Sequence, residues 1–123
     1  MKIKLWMLLL SFFLISCDDD SSTSLVEDTI DVYISKGDTQ CNDDGLSIEE
    51  TASYLTNSDI KALESQCGII SGLSFTAVCG GGTGNIYIHT IDIDDLDAAE
   101  NLGFIDASSL IVEDSGYAVV ECE

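Results

Sequence analysis

Arginine and proline are both missing from this chain, histidine occurs once, and four lysines make up its whole basic complement. With 23 acidic residues against those lysines the formal charge is -19, so phosphate backbones and anionic lipid heads repel the chain, and nucleic acid is not an expected partner. The lack of proline, together with the lack of any C-x-x-C, removes the cis-proline and close dithiol on which many redox sites depend. One histidine gives a zinc site little to draw on, and the spacings of 26, 12 and 43 between Cys41, Cys67, Cys79 and Cys122 do not supply the close pairs such sites use. No cofactor is expected.

Long apolar runs are scarce as well. Leu5 to Ile15 (LWMLLLSFFLI) is the longest, and it falls well short of the ~20 residues of a permanent membrane helix. Lys2 and Lys4 precede it and an abrupt polar switch follows, which is the layout of a signal peptide. Its end, Leu14-Ile15-Ser16-Cys17, resembles the lipobox of bacterial lipoproteins. The resemblance covers residues 1–17 and implies cleavage before Cys17, acylation of that cysteine, with palmitate among the attached lipids, and a membrane lipid anchor. The chain then divides into a leader (1–16), an acylated cysteine with a flexible acidic tether (17–28), and one globular domain (29–123). The expected location is the cell envelope, facing the periplasm or the exterior. Asp18 resembles the inner-membrane retention signal of enterobacterial lipoproteins, and the choice between inner and outer membrane stays open. Cleavage would leave two lysines, Lys36 and Lys61, against 23 acidic residues, a balance of -21.

Four cysteines then remain in a small exported domain, which implies two disulfides. Along the domain, Thr29 to Ser35 alternates with the period of a half-buried strand. Ser47 opens a capping box with Glu50, so a helix should run to about Asn57 with Ile48, Ala52 and Leu55 on its inner face. The segment Ser58 to Cys67 suits either one more helical turn or an extended return. Gly72 to Cys79 reads as a strand, GGGTG as a hairpin connection, and Asn85 to Ile91 as a further strand. Asp92 should cap a second helix that buries Ile93, Leu96, Ala99 and Leu102 and ends at Gly103, with Phe104 folding back onto it. Leu110 to Val112 and Tyr117 to Cys122 read as a closing hairpin or at least one last strand.

The order strand, helix, strand, strand, helix, strand matches an α+β split βαβ, or ferredoxin-like, plan, in which two helices cover one face of an antiparallel sheet. A thioredoxin-like arrangement is the alternative. In the split plan Cys41 pairs with Cys79 and Cys67 with Cys122. Pairing Cys41 with Cys67 would have to span the first helix, at ~1.5 Å per residue, and is disfavoured unless the intervening segment doubles back.

Strand alternation puts Tyr87 and His89 opposite Ile86 and Ile88, and Tyr33 on the corresponding outward side of the first strand. With Tyr117 these residues form a candidate binding face on the open side of the sheet, suited to a protein, peptide or glycan. As a catalyst His89 has no motif partner. Asp38, Asn42, Asp43, Asp44 and Gly45 fail the EF-hand pattern, because aligning its glycine puts Gln40 first and Thr51 last. The acid-rich loops leave room for weak divalent cation binding. The glycines of CGGGTGN lack the lysine of a phosphate-binding loop. The expected function is a non-catalytic binding module anchored at the envelope; an envelope enzyme using His89 and carboxylates, and a structural or stress-related surface lipoprotein, are the alternatives.

Overall fold

The computed structural model describes residues 28–42 and 44–122, so the expected leader, the Cys17 anchor and the tether lie outside the described residues. Five strands, β1 (Thr29–Ser35), β2 (Glu64–Ser71), β3 (Asn85–Asp92), β4 (Ile105–Asp106) and β5 (Gly116–Val120), form one sheet in the order β4-β1-β3-β2-β5. Each of its four pairings is antiparallel. A thioredoxin-like arrangement, which needs parallel neighbours, is therefore not formed. The helices are α1 (Ile48–Thr56) and the short α2 (Leu96–Asn101), the latter entered through a 3-10 turn at Ile93–Asp95. Among the described residues no helix is long and apolar enough to cross a membrane.

The capping box forms as expected, with Ser47 Oγ accepting from the Glu50 amide at 3.1 Å and Glu50 accepting from the Ser47 amide at 2.7 Å. The two helices end in the same way. Gly103, at φ 104°, donates to the Glu100 carbonyl while Phe104 donates to Ala99. Asp59, at φ 61°, likewise donates to Thr56 while Ile60 donates to Leu55. Each is a left-handed Schellman turn, and each throws the next apolar residue back under its own helix. Phe104 and Ile60 are both buried, and they complete one core with Val32, Leu55, Ile91 and Ala99. Burying a side chain of that size contributes roughly 1.5–3 kcal/mol.

Three expectations need correction. The segment Gly72 to Cys79 is not a strand; β2 lies upstream in ESQCGIIS, whose Glu64, Ser65 and Gln66 carry little β-propensity. Pairing on both sides, with β3 and β5, outweighs intrinsic preference there. On the second helical segment Ile93 and Leu102 are exposed while Ala99 is buried, because the α-helix proper spans only six residues and turns a narrow stripe to the core. The closing strand pairs with β2 at the far edge, and the place beside β1 is taken by the two-residue β4. The proposed hairpin shrinks to a single bridge between Val112 and Ser115.

The disulfides join Cys41 to Cys79 and Cys67 to Cys122, with Cα separations of 5.1 and 5.3 Å. The second arises differently from the sequence argument. Cys67 sits inside β2, opposite Val120, so the bridge ties neighbouring strands rather than the two ends of a helix layer.

Candidate functional site

Four residues singled out in the sequence as one face lie on two. Val32 pairs with His89 and Ile34 with Tyr87, so these rings share the helix side of the sheet with the core residues of β1. Tyr33 pairs with Ile88, and Tyr117 with Ile70, on the opposite side. The alternation is right but its in-out sense is not, because β3 is the central strand of the five and both its faces are covered. Ile86 and Ile88 are only 2 % exposed on the side expected to be open. The 3-10 turn Ala107–Leu110 lies against β1, on the crossing from β4 to β5. Tyr117 instead lines a shallow depression with Asp31 and Asp106. Burial first, then those two carboxylates, push its hydroxyl above the usual tyrosine range.

His89 is fully buried and makes two hydrogen bonds, Nε2 with Thr51 Oγ1 at 2.8 Å and Nδ1 with Ser65 Oγ at 2.7 Å. Thr51 donates its one hydroxyl proton to the Ile48 carbonyl at 2.9 Å, so at the ring it accepts. That fixes the Nε2-H tautomer and leaves Nδ1 to accept from the Ser65 hydroxyl. A serine hydroxyl aimed at an imidazole nitrogen is the contact of a nucleophile with its base. Here the far nitrogen rests on a neutral threonine, and Phe104 meets the ring edge-on at 5.8 Å. Burial holds the His89 pKa below its ordinary value, so the ring is a reluctant proton acceptor. The line Ser65, His89, Thr51 fastens β2, β3 and α1 together more readily than it activates a nucleophile.

A groove of about 250 Å³ opens one row further along the sheet. Tyr87, Cys67 and Val120 stand side by side across β3, β2 and β5 and form its floor, while Ile48 and Glu49 at the start of α1 form one wall. Tyr87 donates to the Leu46 carbonyl at 2.7 Å, which holds the α1 entry over this row, and burial raises its pKa. Glu121 and the Cys67–Cys122 bridge close the end at β5. Drug-sized ligands occupy pockets of about 300–1,000 Å³. This groove suits a side chain or a small group.

The acidic loop before α1 is held by its own hydrogen bonds. Asp38 accepts from Thr83 Oγ1 at 2.5 Å and Asn85 Nδ2 at 2.9 Å; Asp44 accepts from the Thr39 amide at 2.7 Å and its hydroxyl at 2.9 Å. The Thr39 contacts hold the Asp44 carboxyl below the usual range. Asn42 donates to Thr39, Gly45 takes φ 103° where a Cβ would meet Lys36 and Asp38 backbone, and Asp43 lies outside the described residues. The glycine connection is pinned to this loop by the Gln40 amide on Gly81 and the Gly80 amide on Gln40, next to the Cys41–Cys79 bridge. Asp92 caps the 3-10 turn by accepting from the Asp94 amide at 2.9 Å. Among the described residues no cluster of three or more metal-binding side chains occurs.

Thr51 and Ser65, the partners of His89, went unread in the sequence. Thr51 falls between Ile48 and Leu55 on the inner face of α1, and that spacing alone could have marked it as a buried hydroxyl in need of a partner. Ser65 carried no comparable signal, since its strand was placed elsewhere. Comparison of the chain with known protein families, with curated proteins and with solved structures finds no match.

Proposed function

We propose that this chain is an exported lipoprotein, held at the cell envelope through lipid on Cys17, whose disulfide-braced domain acts by binding rather than catalysis. The observation that carries the reading is the pair of bridges Cys41–Cys79 and Cys67–Cys122, which join separate elements and need an oxidising compartment to persist. They agree with the leader-like start and the lipobox resemblance at Cys17. The acidic balance favours lipid over electrostatic attraction as the means of attachment. For the fold, the order β4-β1-β3-β2 with α1 and α2 as crossovers supports a ferredoxin-like split βαβ core, to which β5 adds a strand beyond β2.

Binding is favoured over chemistry because the single histidine has both nitrogens committed to neutral hydroxyls, whereas the groove beside Val120 is open to solvent and lined by groups of mixed polarity. The test is fractionation of cells expressing the native chain and Cys17→Ser. The native protein should partition with membranes in oxidised form, and the variant should leave the membrane fraction with its disulfides intact. Native protein recovered reduced from the cytoplasm would overturn the reading.

A further inference from the structure

We infer that the free edge of β5 is a docking strand for an extended, lysine- or arginine-bearing segment of a partner protein, whose backbone pairs with Gly116–Val120 while one side chain enters the adjoining groove. This deepens the binding reading above and rests on it. Among the described residues β5 is hydrogen-bonded to β2 on one side only, and its other edge carries no strand partner there. Exposed edges are normally blunted by lysine, proline or an inward charge, and GYAVV contains none of these. Val119 is 53 % exposed on one face of the strand, and Val120, with Ile69 of β2, is exposed on the other.

Charge selects the occupant. Glu113 and Asp114 stand before β5, Glu121 follows it, and Glu49 and Glu121 line the groove, against Lys36, which sits 4.0 Å from Asp38. A second copy of this chain is a poor fit. Antiparallel self-pairing centred on Ala118 would set Glu113 and Asp114 of one copy against the Glu121 region of the other, between two molecules that each carry a large negative charge. A strand with basic side chains meets the same carboxylates favourably. Its backbone supplies the hydrogen bonds, and a lysine stem matches the apolar floor formed by Tyr87 and Val120.

The experiment uses the full chain in non-ionic detergent and a short fluorescein-labelled peptide alternating lysine and valine, with a glutamate–valine peptide of equal length beside it. Fluorescence anisotropy should show saturable binding of the lysine peptide, weakening as salt is raised, and no binding of the glutamate peptide. Val119→Lys, which places a cation beside the docked lysine peptide, and Glu121→Gln, which removes a carboxylate from the groove, should each weaken binding, the former by about tenfold through like-charge repulsion. Circular dichroism of both variants should match the native protein. Equal binding of both peptides, no binding of the lysine peptide, an unchanged affinity in Val119→Lys, or a chain that sediments as a dimer in the absence of peptide would each overturn the inference. A lipid-free Cys17 with intact peptide binding would instead sink the anchoring alone.

Discussion

Thr51 and His89 meet at 2.8 Å across 38 residues of sequence, and through them the first helix is fastened to the central strand of the sheet. The contact is fully buried, and it dictates the tautomer of the ring because the threonine proton is already given to Ile48. Two residues that look unremarkable as a sequence thus decide how α1 sits on β3, and hence where the groove beside α1 opens.

Thr51→Val keeps the shape of the side chain and removes its oxygen, leaving Nε2-H of His89 buried without an acceptor. The expected cost is about 1–3 kcal/mol, read as a lower urea midpoint at unchanged slope. Ser65→Ala should cost less, since Ser65 lies at the exposed end of the line and water can take its place at Nδ1. Equal losses in the two variants would contradict the tautomer assigned here.

Stability should fall on mild acidification. His89 has a folded-state pKa below its ordinary 6.5, so below that pH the unfolded chain binds the proton more readily than the folded one. The contribution of the neutral ring is therefore complete above about 6.5 and is lost as pH drops toward the folded value. Urea midpoints measured from pH 7.5 to 5.5, a window in which the unfolded carboxylates stay ionised, should decline in the native protein and stay nearly level in His89→Gln. A decline of equal size in both would assign it to other groups.

Much of the sheet was legible because its strongest signals are local. Thr29–Ser35 alternates cleanly, Ser47 and Glu50 spell a capping box, and Gly103 with Phe104 spells a helix end, and all three form as read. What failed was decided by neighbours far away in sequence. Glu64–Ser71 is a strand because β3 and β5 flank it, whereas the more apolar GLSFTAVC pairs with no strand among the described residues. The in-out sense of Tyr87 and His89 depends on which face of β3 meets α1, and NIYIHTI, apolar on one side and aromatic on the other, fits either. The pairing of Cys41 with Cys79 forms as expected although Cys79 lies in the connection between β2 and β3 rather than at the end of a strand, and Cys67 and Cys122 are joined by strand pairing that the order of elements did not reveal.

Loss of either bridge should be severe and nearly equal. The loops they close have sequence separations of 38 and 55, and loop-closure entropy grows so slowly with length that each is expected to contribute about 4 kcal/mol, within a few tenths of the other. For a core this small that is a large share of total stability. Paired Cys→Ser variants at 41/79 and at 67/122, compared by thermal unfolding, should both melt far below the native chain. A near-native melting temperature in either would show that its bridge closes on chain already ordered in the unfolded state.

The central claim is an address joined to a brace: lipid on Cys17 and two disulfides in the domain behind it. Mass spectrometry of the protein extracted from membranes without reductant, intact and after proteolysis, tests both at once. The account predicts a mature chain beginning at Cys17, heavier by its acyl groups, with peptides linked Cys41 to Cys79 and Cys67 to Cys122. A chain that retains Met1 to Ser16, an unmodified Cys17, or free or differently joined thiols at the other four positions would contradict it.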